Sequence, residues 1–222
     1  MAACLTLGTR AARLEDGSQS ANPLLARACD GGLGEACSAL GALLRRQSDQ
    51  ACSRAEEAGC APASGEAKGL LRRGCEAGSM PGCVGLAAAL MRDESAHDAE
   101  AVALYRRACD RDDFAGCSGL ASALVAGRGV EADLPAAVRL YGRSCEGDGF
   151  YGCVPLAKMY AAGNGVPLDF EKALSLYRRA CNEGRYTACE WLHEVEGSPG
   201  SPGIQRHVGA PVEPRIDPLQ YL

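Results

Sequence analysis

Apolar residues in this chain recur at the spacing of an α-helix, and the same pattern returns several times. In one copy, Ala101, Tyr105 and Cys109 stand four residues apart, so they share one face of a helix. Two later copies keep the same residue types: Ala137, Tyr141, Cys145, and Ala173, Tyr177, Cys181. Two earlier copies carry leucine in place of tyrosine: Ala67, Leu71, Cys75, and Ala21, Leu25, Cys29. We call the predicted helix with this stripe helix B.

A second apolar stripe follows each copy and predicts another helix, which we call helix A. Its residues are Leu86, Ala87, Leu90, then Leu120, Ala121, Leu124, then Leu156, Ala157, Tyr160. Between helix A and helix B stand glycines, which permit the left-handed backbone that ends a helix, and an aspartate, which can cap the next helix. These turn residues are Gly127, Gly129, Asp133, and Gly163, Gly165, Asp169. Helix hairpins repeated at a constant interval predict a solenoid of two-helix units.

The motifs around the last copies resemble the Sel-one-like repeat, a relative of the tetratricopeptide repeat. They are L-A-x-x-Y from Leu156, G-x-G-V from Gly163, and the run D-x-x-K-A-L-x-L-Y-R-R-A-C from Asp169 to Cys181. The resemblance covers about residues 20 to 196. It implies an all-α fold, an α/α solenoid of stacked helix hairpins. The placement of the cysteines is similar to that in the cysteine-rich, disulfide-stapled branch of the family.

Twelve of the thirteen cysteines fall into pairs eight residues apart. The pairs are Cys29 and Cys37, Cys52 and Cys60, Cys75 and Cys83, Cys109 and Cys117, Cys145 and Cys153, and Cys181 and Cys189. They are either buried thiols in a reducing compartment or disulfides in an oxidising one. A thiol that served only as a small core residue would not need a partner at a constant spacing, so the pattern favours disulfides.

The repeat pattern predicts three segments. Residues 1–19 form a flexible N-terminal segment, residues 20–196 the solenoid of about four repeats with cap helices, and residues 197–222 a disordered tail rich in proline and glycine. The pattern is irregular near residues 48–62. There we expect the first helix A to end near residue 46 and an inserted short helix to follow near 49–58, closed back by Cys60 after Gly59 with its own disulfide. A decayed repeat is the alternative.

Cys4 is the one cysteine without a partner at this spacing, and Met-Ala-Ala-Cys ends like a bacterial lipobox. One hypothesis is that the natural start is longer, so that residues 1–19 are the remnant of an export region and Cys4 carries lipid. The alternative is an incidental free thiol.

Helix B also carries adjacent arginines at one repeated position: Arg72 and Arg73, Arg106 and Arg107, Arg178 and Arg179. Such pairs either bind acidic partners or supply the charge of a solvated helix face, and we favour the second interpretation. A net charge of −5 without a basic stripe makes nucleic acid a poor partner, and no apolar run is long enough to span a membrane.

Motifs that carry chemistry were not found in the sequence. The chain has no S-x-x-K, S-D-N or K-T-G motif of β-lactamases, no phosphate-binding G-K-[ST], and no zinc spacing of cysteine and histidine. We therefore expect no catalytic residue, metal site or cofactor, and we lean towards a protein that is not an enzyme.

A binding role follows from the expected shape. Stacked hairpins normally line an extended concave face with their A helices. The positions of helix A outside the core stripe include four candidate partner-binding residues: Ser118, Ser122, Tyr151 and Lys158. We expect a monomeric, non-enzymatic scaffold that binds a protein or peptide there. Its expected location is periplasmic or extracellular, with a lipid anchor if Cys4 is modified.

Two alternatives follow from the resemblance alone. Members of the cysteine-rich branch have been called β-lactamases or penicillin-binding proteins, which implies a hydrolase. A eukaryotic branch is associated with cytochrome oxidase assembly in the mitochondrial intermembrane space, which implies a respiratory-complex assembly factor that takes up haem or copper. The sequence offers no evident ligand set for either metal group.

Overall fold

The computed structural model describes residues 18–54, 65–93, 95–147, 151–184 and 186–196. Within these ranges, the regular secondary structure is helical and no strand occurs. The chain divides into two compact units, Met1–Ala132 and Asp133–Leu222. Residues 1–17 with Cys4, residues 55–64 with Cys60 and residues 197–222 lie outside the described residues, so the predictions for them stay predictions.

In the first unit, six α-helices and one short 3-10 turn follow one another. The helices are α1 (Ser18–Asp30), α2 (Gly34–Arg54), α3 (Gly65–Glu76), α4 (Met80–Leu90), α5 (Asp98–Cys109) and α6 (Phe114–Ala126), and the 3-10 turn is Ser95–His97. Each helix packs against the next one in sequence. In addition, α2 contacts α4, and α4 contacts α6, so the A helices of successive hairpins are neighbours.

The second unit contains four described helices. They are α7 (Leu134–Gly147), α8 (Cys153–Ala162), α9 (Phe170–Asn182) and α10 (Tyr186–Glu196). Here too each helix packs against the next one in sequence. Together with the first unit, this arrangement confirms the predicted all-α class of stacked helix hairpins.

The stripe of helix B forms the core because small residues of helix A make room for its large side chains. The ring of Tyr105 lies so close to Gly119 that an added Cβ there would be 2.3 Å from Cε1. In the preceding hairpin, Leu71 packs in the same way, and a Cβ on Gly85 would lie 2.7 Å from its Cδ2. Both Tyr105 and Leu71 are buried. The apolar periodicity therefore selects the buried face.

Adjacent helices also approach closely where cysteines pair. A Cβ added to Gly116 would lie 2.6 Å from the Cβ of Ala108, and one added to Gly152 would lie 2.3 Å from the carbonyl oxygen of Tyr141. Glycine before the second cysteine thus permits Cα atoms of the paired cysteines to lie 4.5 Å apart. Where alanine stands at this position, the Cα distances are 4.6 and 4.8 Å.

The turn after each helix A lies against the start of the preceding helix B. Gly129 has a φ of +67°, and a Cβ there would lie 2.4 Å from the backbone carbonyl of Asp98. Gly165 has a φ of +71° and would place a Cβ 2.7 Å from that of Leu134. Glycine is required at both positions for two reasons. Each has a left-handed backbone, and each lies too close to its neighbour to leave room for a Cβ.

The first helix A is longer than expected. We predicted that it ends near residue 46 and that a separate short helix follows near 49–58, whereas α2 runs without a break to Arg54. The stretch from 47 to 54 contains neither glycine nor proline, so nothing local ends the helix. Asp49 also anchors it, because its Oδ1 accepts a hydrogen bond of 2.5 Å from Nη1 of Arg92.

Candidate binding surface

Disulfides join successive hairpins at one repeated position. Five are present in the described residues: Cys29–Cys37, Cys75–Cys83, Cys109–Cys117, Cys145–Cys153 and Cys181–Cys189. Each joins the end of a helix B to the start of the next helix A. Closing a loop of this length removes about 2.5 kcal/mol of unfolded-state freedom on the chain-entropy model. Cys52 lies on α2 and Cys60 outside the described residues, so that pair remains a prediction.

Disulfides at this density indicate an oxidising compartment outside the cytoplasm, because reducing systems keep cytosolic thiols free. In the described ranges, no helix is long and apolar enough to cross a membrane. No group of three or more histidine, cysteine and acidic side chains in the same ranges could hold a metal ion.

The repeated arginine pairs have a structural role that the sequence did not reveal. Nη2 of Arg73 donates a hydrogen bond of 3.3 Å to the carbonyl oxygen of Cys29, at the end of the preceding helix B. Nη2 of Arg179 donates one of 3.4 Å to the carbonyl oxygen of Glu146. Carbonyls at the end of a helix lack partners within it. Arg73 and Arg179 therefore each add a hydrogen bond at the end of the preceding helix B, whereas Nη1 of Arg107 donates to Sγ of Cys75 at 3.7 Å.

The predicted partner-binding residues lie in two different units. Ser118 and Ser122 are one turn apart on α6, and both are half-buried. In the second unit, Tyr151 precedes α8 and is 42% exposed, and Lys158 lies half-buried on α8. Burial lowers the pKa of the Lys158 amine below its ordinary value. Their role in binding stays a prediction.

Tyr105, a core residue of the stripe, has a charged environment. It lies on α5, and the charges of three arginines from elsewhere in the unit act on it: Arg45 from α2, Arg92 from the turn after α4 and Arg128 from the turn after α6. Burial raises the pKa of Tyr105 to about 12, and the arginines offset part of this rise. The phenol therefore stays protonated at neutral pH.

Two of these arginines have acidic partners. Nη1 of Arg92 binds Oδ1 of Asp49 at 2.5 Å. Arg128 forms two hydrogen bonds with the buried carboxylate of Asp98, of 3.0 Å from Nε and 2.6 Å from Nη2. Nε of Arg45 is buried and donates to no acceptor within the described ranges. The sequence pattern could not bring these residues together, because each arginine stands at a different distance from its cysteine.

The comparisons with known proteins agree with this architecture. The family model named Sel1 repeat matches residues 98–113, 115–149 and 152–184. The chain carries Sel1 repeats. The second matched segment begins in α6 and the third just before α8, so a Sel1 repeat here is a helix A, a glycine turn and a helix B. This confirms the resemblance inferred from the sequence motifs.

Three solved structures share the fold. A Sel1 repeat protein from Oxalobacter formigenes is 22% identical over 88% of this chain and 76% of its own, with a TM-score of 0.71. The antigen c5321 of uropathogenic Escherichia coli, which displays an SLR fold, is 22% identical over 87% of this chain and 40% of its own, with a TM-score of 0.61. A sel1 repeat protein from Klebsiella pneumoniae is 24% identical over 81% and 85%, with a TM-score of 0.53.

These likenesses establish the fold and leave the ligand open. No curated protein is a significant match to the chain. Sel1 repeats generally mediate protein interactions, so the coarse function is that of an interaction scaffold.

Proposed function

We propose that this protein is a non-enzymatic scaffold that binds a protein or peptide segment through its A helices, in the periplasm or outside the cell. The Sel1 repeats support a scaffold, and the disulfides support a compartment in which thiols are oxidised. Disulfides also hold successive hairpins together before a partner arrives, which lowers the entropy lost on binding.

The observation that carries the proposal is the exposure of large apolar side chains in the second unit. Of four such side chains in the described residues, three belong to this unit: Tyr151 at 42%, Leu168 at 57% and Phe170 at 46% exposed. Tyr151 stands just before α8, which is a helix A, whereas Leu168 and Phe170 lie at the turn into α9, which is a helix B. Tyr151 is therefore the side chain that supports binding along the A helices. Tyrosine is among the residues that contribute most to binding at protein interfaces. The described residues offer no comparable observation for the hydrolase or for the respiratory assembly factor.

Variants of Tyr151 and Lys158 test the proposal. The oxidised protein is used to purify partners from its native source, and the partner found is then titrated against each variant by calorimetry. We expect Tyr151→Ala to weaken binding about tenfold, the effect of removing an interface hot spot. Lys158→Met should weaken it less, since the side chain is half-buried and offers a partner less surface than Tyr151 does.

Arg139→Ala is the matched control, because Arg139 is an exposed charge on α7, which is a helix B. It should leave the affinity unchanged. A partner that binds the Tyr151 and Lys158 variants as tightly as the wild type would contradict binding through these residues. Turnover of a chromogenic β-lactam that persists through further purification would contradict the non-enzymatic role.

A further inference from the structure

The five disulfides of the described residues close loops of the same length but differ in burial. In each pair the two cysteines are eight residues apart, so loop closure constrains all five alike. Four of the bonds join buried cysteines, each at most 2% exposed: Cys29, Cys37, Cys75, Cys83, Cys109, Cys117, Cys145 and Cys153. Cys181 and Cys189 are both half-buried instead. Among the described disulfides, Cys181–Cys189 is therefore the one most open to solvent.

The next helix B covers one of the earlier bonds. Cys75 and Cys83 form one buried cluster with Ala108 of α5, and Leu104 of α5 packs against that cluster. Nη1 of Arg107, from the same helix, donates a hydrogen bond of 3.7 Å to Sγ of Cys75. One face of α5 therefore closes this disulfide off from solvent.

In the second unit, α9 has the corresponding residues beside the Cys145–Cys153 bond. Nη2 of Arg179 donates a hydrogen bond to the carbonyl oxygen of Glu146, the residue after Cys145. Ala180, which holds the repeat position of Ala108, is completely buried. No helix follows α10 in the described residues, so no helix B covers the Cys181–Cys189 bond there. The exposure of this bond thus has a structural cause.

The Cys181–Cys189 bond also holds a helix that has few neighbours. α4, a helix A of the first unit, packs against α2, α3, α5 and α6, whereas α10 packs extensively against α9 alone among the described helices. That contact includes the stacked rings of Tyr177 and Trp191, whose centroids are 4.0 Å apart. α10 has 11 residues, and a helix shorter than about 12 residues is marginal in isolation. Its position therefore depends on the disulfide.

We propose that Cys181–Cys189 is a site of thiol–disulfide exchange, at which a dithiol opens the bond and releases α10 from α9. A thiolate of the dithiol attacks one sulfur atom of the pair and forms a mixed disulfide, while the other sulfur leaves as a thiolate and takes up a proton. The second thiol of the dithiol then displaces the cysteine that is still bound. Two electrons have passed to the protein, so both cysteines are thiols and the dithiol is a disulfide.

Mass spectrometry of the full oxidised chain measures the order in which the bonds open. Any free thiol is first blocked with N-ethylmaleimide. The protein is then incubated with dithiothreitol in neutral buffer without denaturant, and the new thiols are labelled with iodoacetamide at successive times. Because exchange depends on access, we expect Cys181 and Cys189 to be labelled at least about tenfold faster than Cys145 and Cys153. The slower pair lies in the same unit and is the internal control.

Trp191 reports whether α10 leaves α9. It is the only tryptophan of the chain and stacks on Tyr177, so its fluorescence isolates this contact. We expect the emission of Trp191 to change at the rate at which Cys181 and Cys189 are labelled. The double variant Cys181→Ser, Cys189→Ser should show the emission of the reduced protein before any dithiol is added. Its Cys145–Cys153 bond should open as slowly as in the wild type.

Three results would overturn the proposal. Labelling of Cys145 and Cys153 as fast as that of Cys181 and Cys189 would show that exposure does not decide which bond opens. Labelling of Cys181 and Cys189 without a change in the emission of Trp191 would show that α10 stays in place after reduction. The emission of the oxidised wild type in the double serine variant would show the same without a reductant. None of these results bears on the proposed function, which concerns the oxidised chain.

Discussion

Two of the three tyrosines at this position of the repeat, Tyr105 in the first unit and Tyr177 in the second, have different surroundings. Tyr105 lies on Gly119 near three arginines, whereas Tyr177 stacks on Trp191. Both are buried, and burial raises both pKa values. The apolar stripe of helix B therefore determines that both side chains are buried. Residues outside the stripe determine which charged or aromatic groups surround each of them.

The turns that follow the A helices show the same division. Gly129 and Gly165 have nearly the same left-handed backbone, and each lies against the start of the preceding helix B. At the first turn, Arg128 binds the buried Asp98. At the second turn, the corresponding residues are Asn164 and Leu134. Both turns therefore share the close contact of a glycine with the preceding helix B, whereas only the first of the two turns also carries an ion pair.

Removing the close contact between a turn glycine and the start of the preceding helix B should have the largest effect on the free energy of unfolding. We expect Gly129→Ala to lower the free energy of unfolding by about 3 kcal/mol, through left-handed strain and a collision with the Asp98 carbonyl. Gly165→Ala should be slightly milder, because its Cβ meets the Leu134 side chain at a longer distance. Urea unfolding of the oxidised protein, followed by circular dichroism, measures both.

Gly142→Ala is the control for this prediction. Gly142 lies inside α7, and a Cβ there meets nothing within 4 Å. Alanine should therefore stabilise the protein by about 1 kcal/mol, because it is the better helix former. Equal stabilities of the Gly129→Ala variant and the wild type would show that the close approach does not exist.

Replacing the Asp98–Arg128 ion pair by the residues found at the second turn is expected to have the next largest effect on the free energy of unfolding. Asp98→Leu alone should destabilise the protein by about 2 to 3 kcal/mol, since it leaves the Arg128 guanidinium without its carboxylate. Adding Arg128→Asn reproduces the residue pair of the second junction and should restore at least about 1 kcal/mol. A double variant whose loss equals the sum of the two single losses would mean that the pair is not coupled.

The smallest expected effect on stability comes from the ionisation of Tyr105 and Tyr177 at high pH. A folded-state pKa above the ordinary value of about 10 contributes stability that is present below pH 10 and lost as the pH rises towards the folded value. For Tyr105, with a pKa of about 12, the loss at about pH 11 is about 1.4 kcal/mol. Tyr105→Phe should remove this loss, and Tyr177→Phe should remove one at least as large.

Unfolding in urea at about pH 8 and about pH 11 measures the difference between the two pH values for each variant. If the wild type and Tyr105→Phe lose the same stability between these pH values, the phenol is not held in its neutral form.

The helix hairpins could be predicted because their signals are local. Ala101, Tyr105 and Cys109 repeat at the helical period, and glycines and aspartates stand where helices end and begin. The length of α2 was missed, because we ended it where the repeat pattern weakened although no residue between 47 and 54 breaks a helix. The helix-capping role of Arg73 was missed as well, because its partner, the carbonyl oxygen of Cys29, is 44 residues away.

By itself, the sequence determined the helix class, the turns and the constant spacing of the cysteines, because each depends on residues within one or two helical turns of each other. Only the tertiary structure decided that Arg45, Arg92 and Arg128 gather near Tyr105, because these residues lie on separate elements and follow no period. The charges around Tyr105 depend on how successive hairpins pack against each other. The repeating apolar pattern of the sequence carries no information about such a single, non-repeating arrangement.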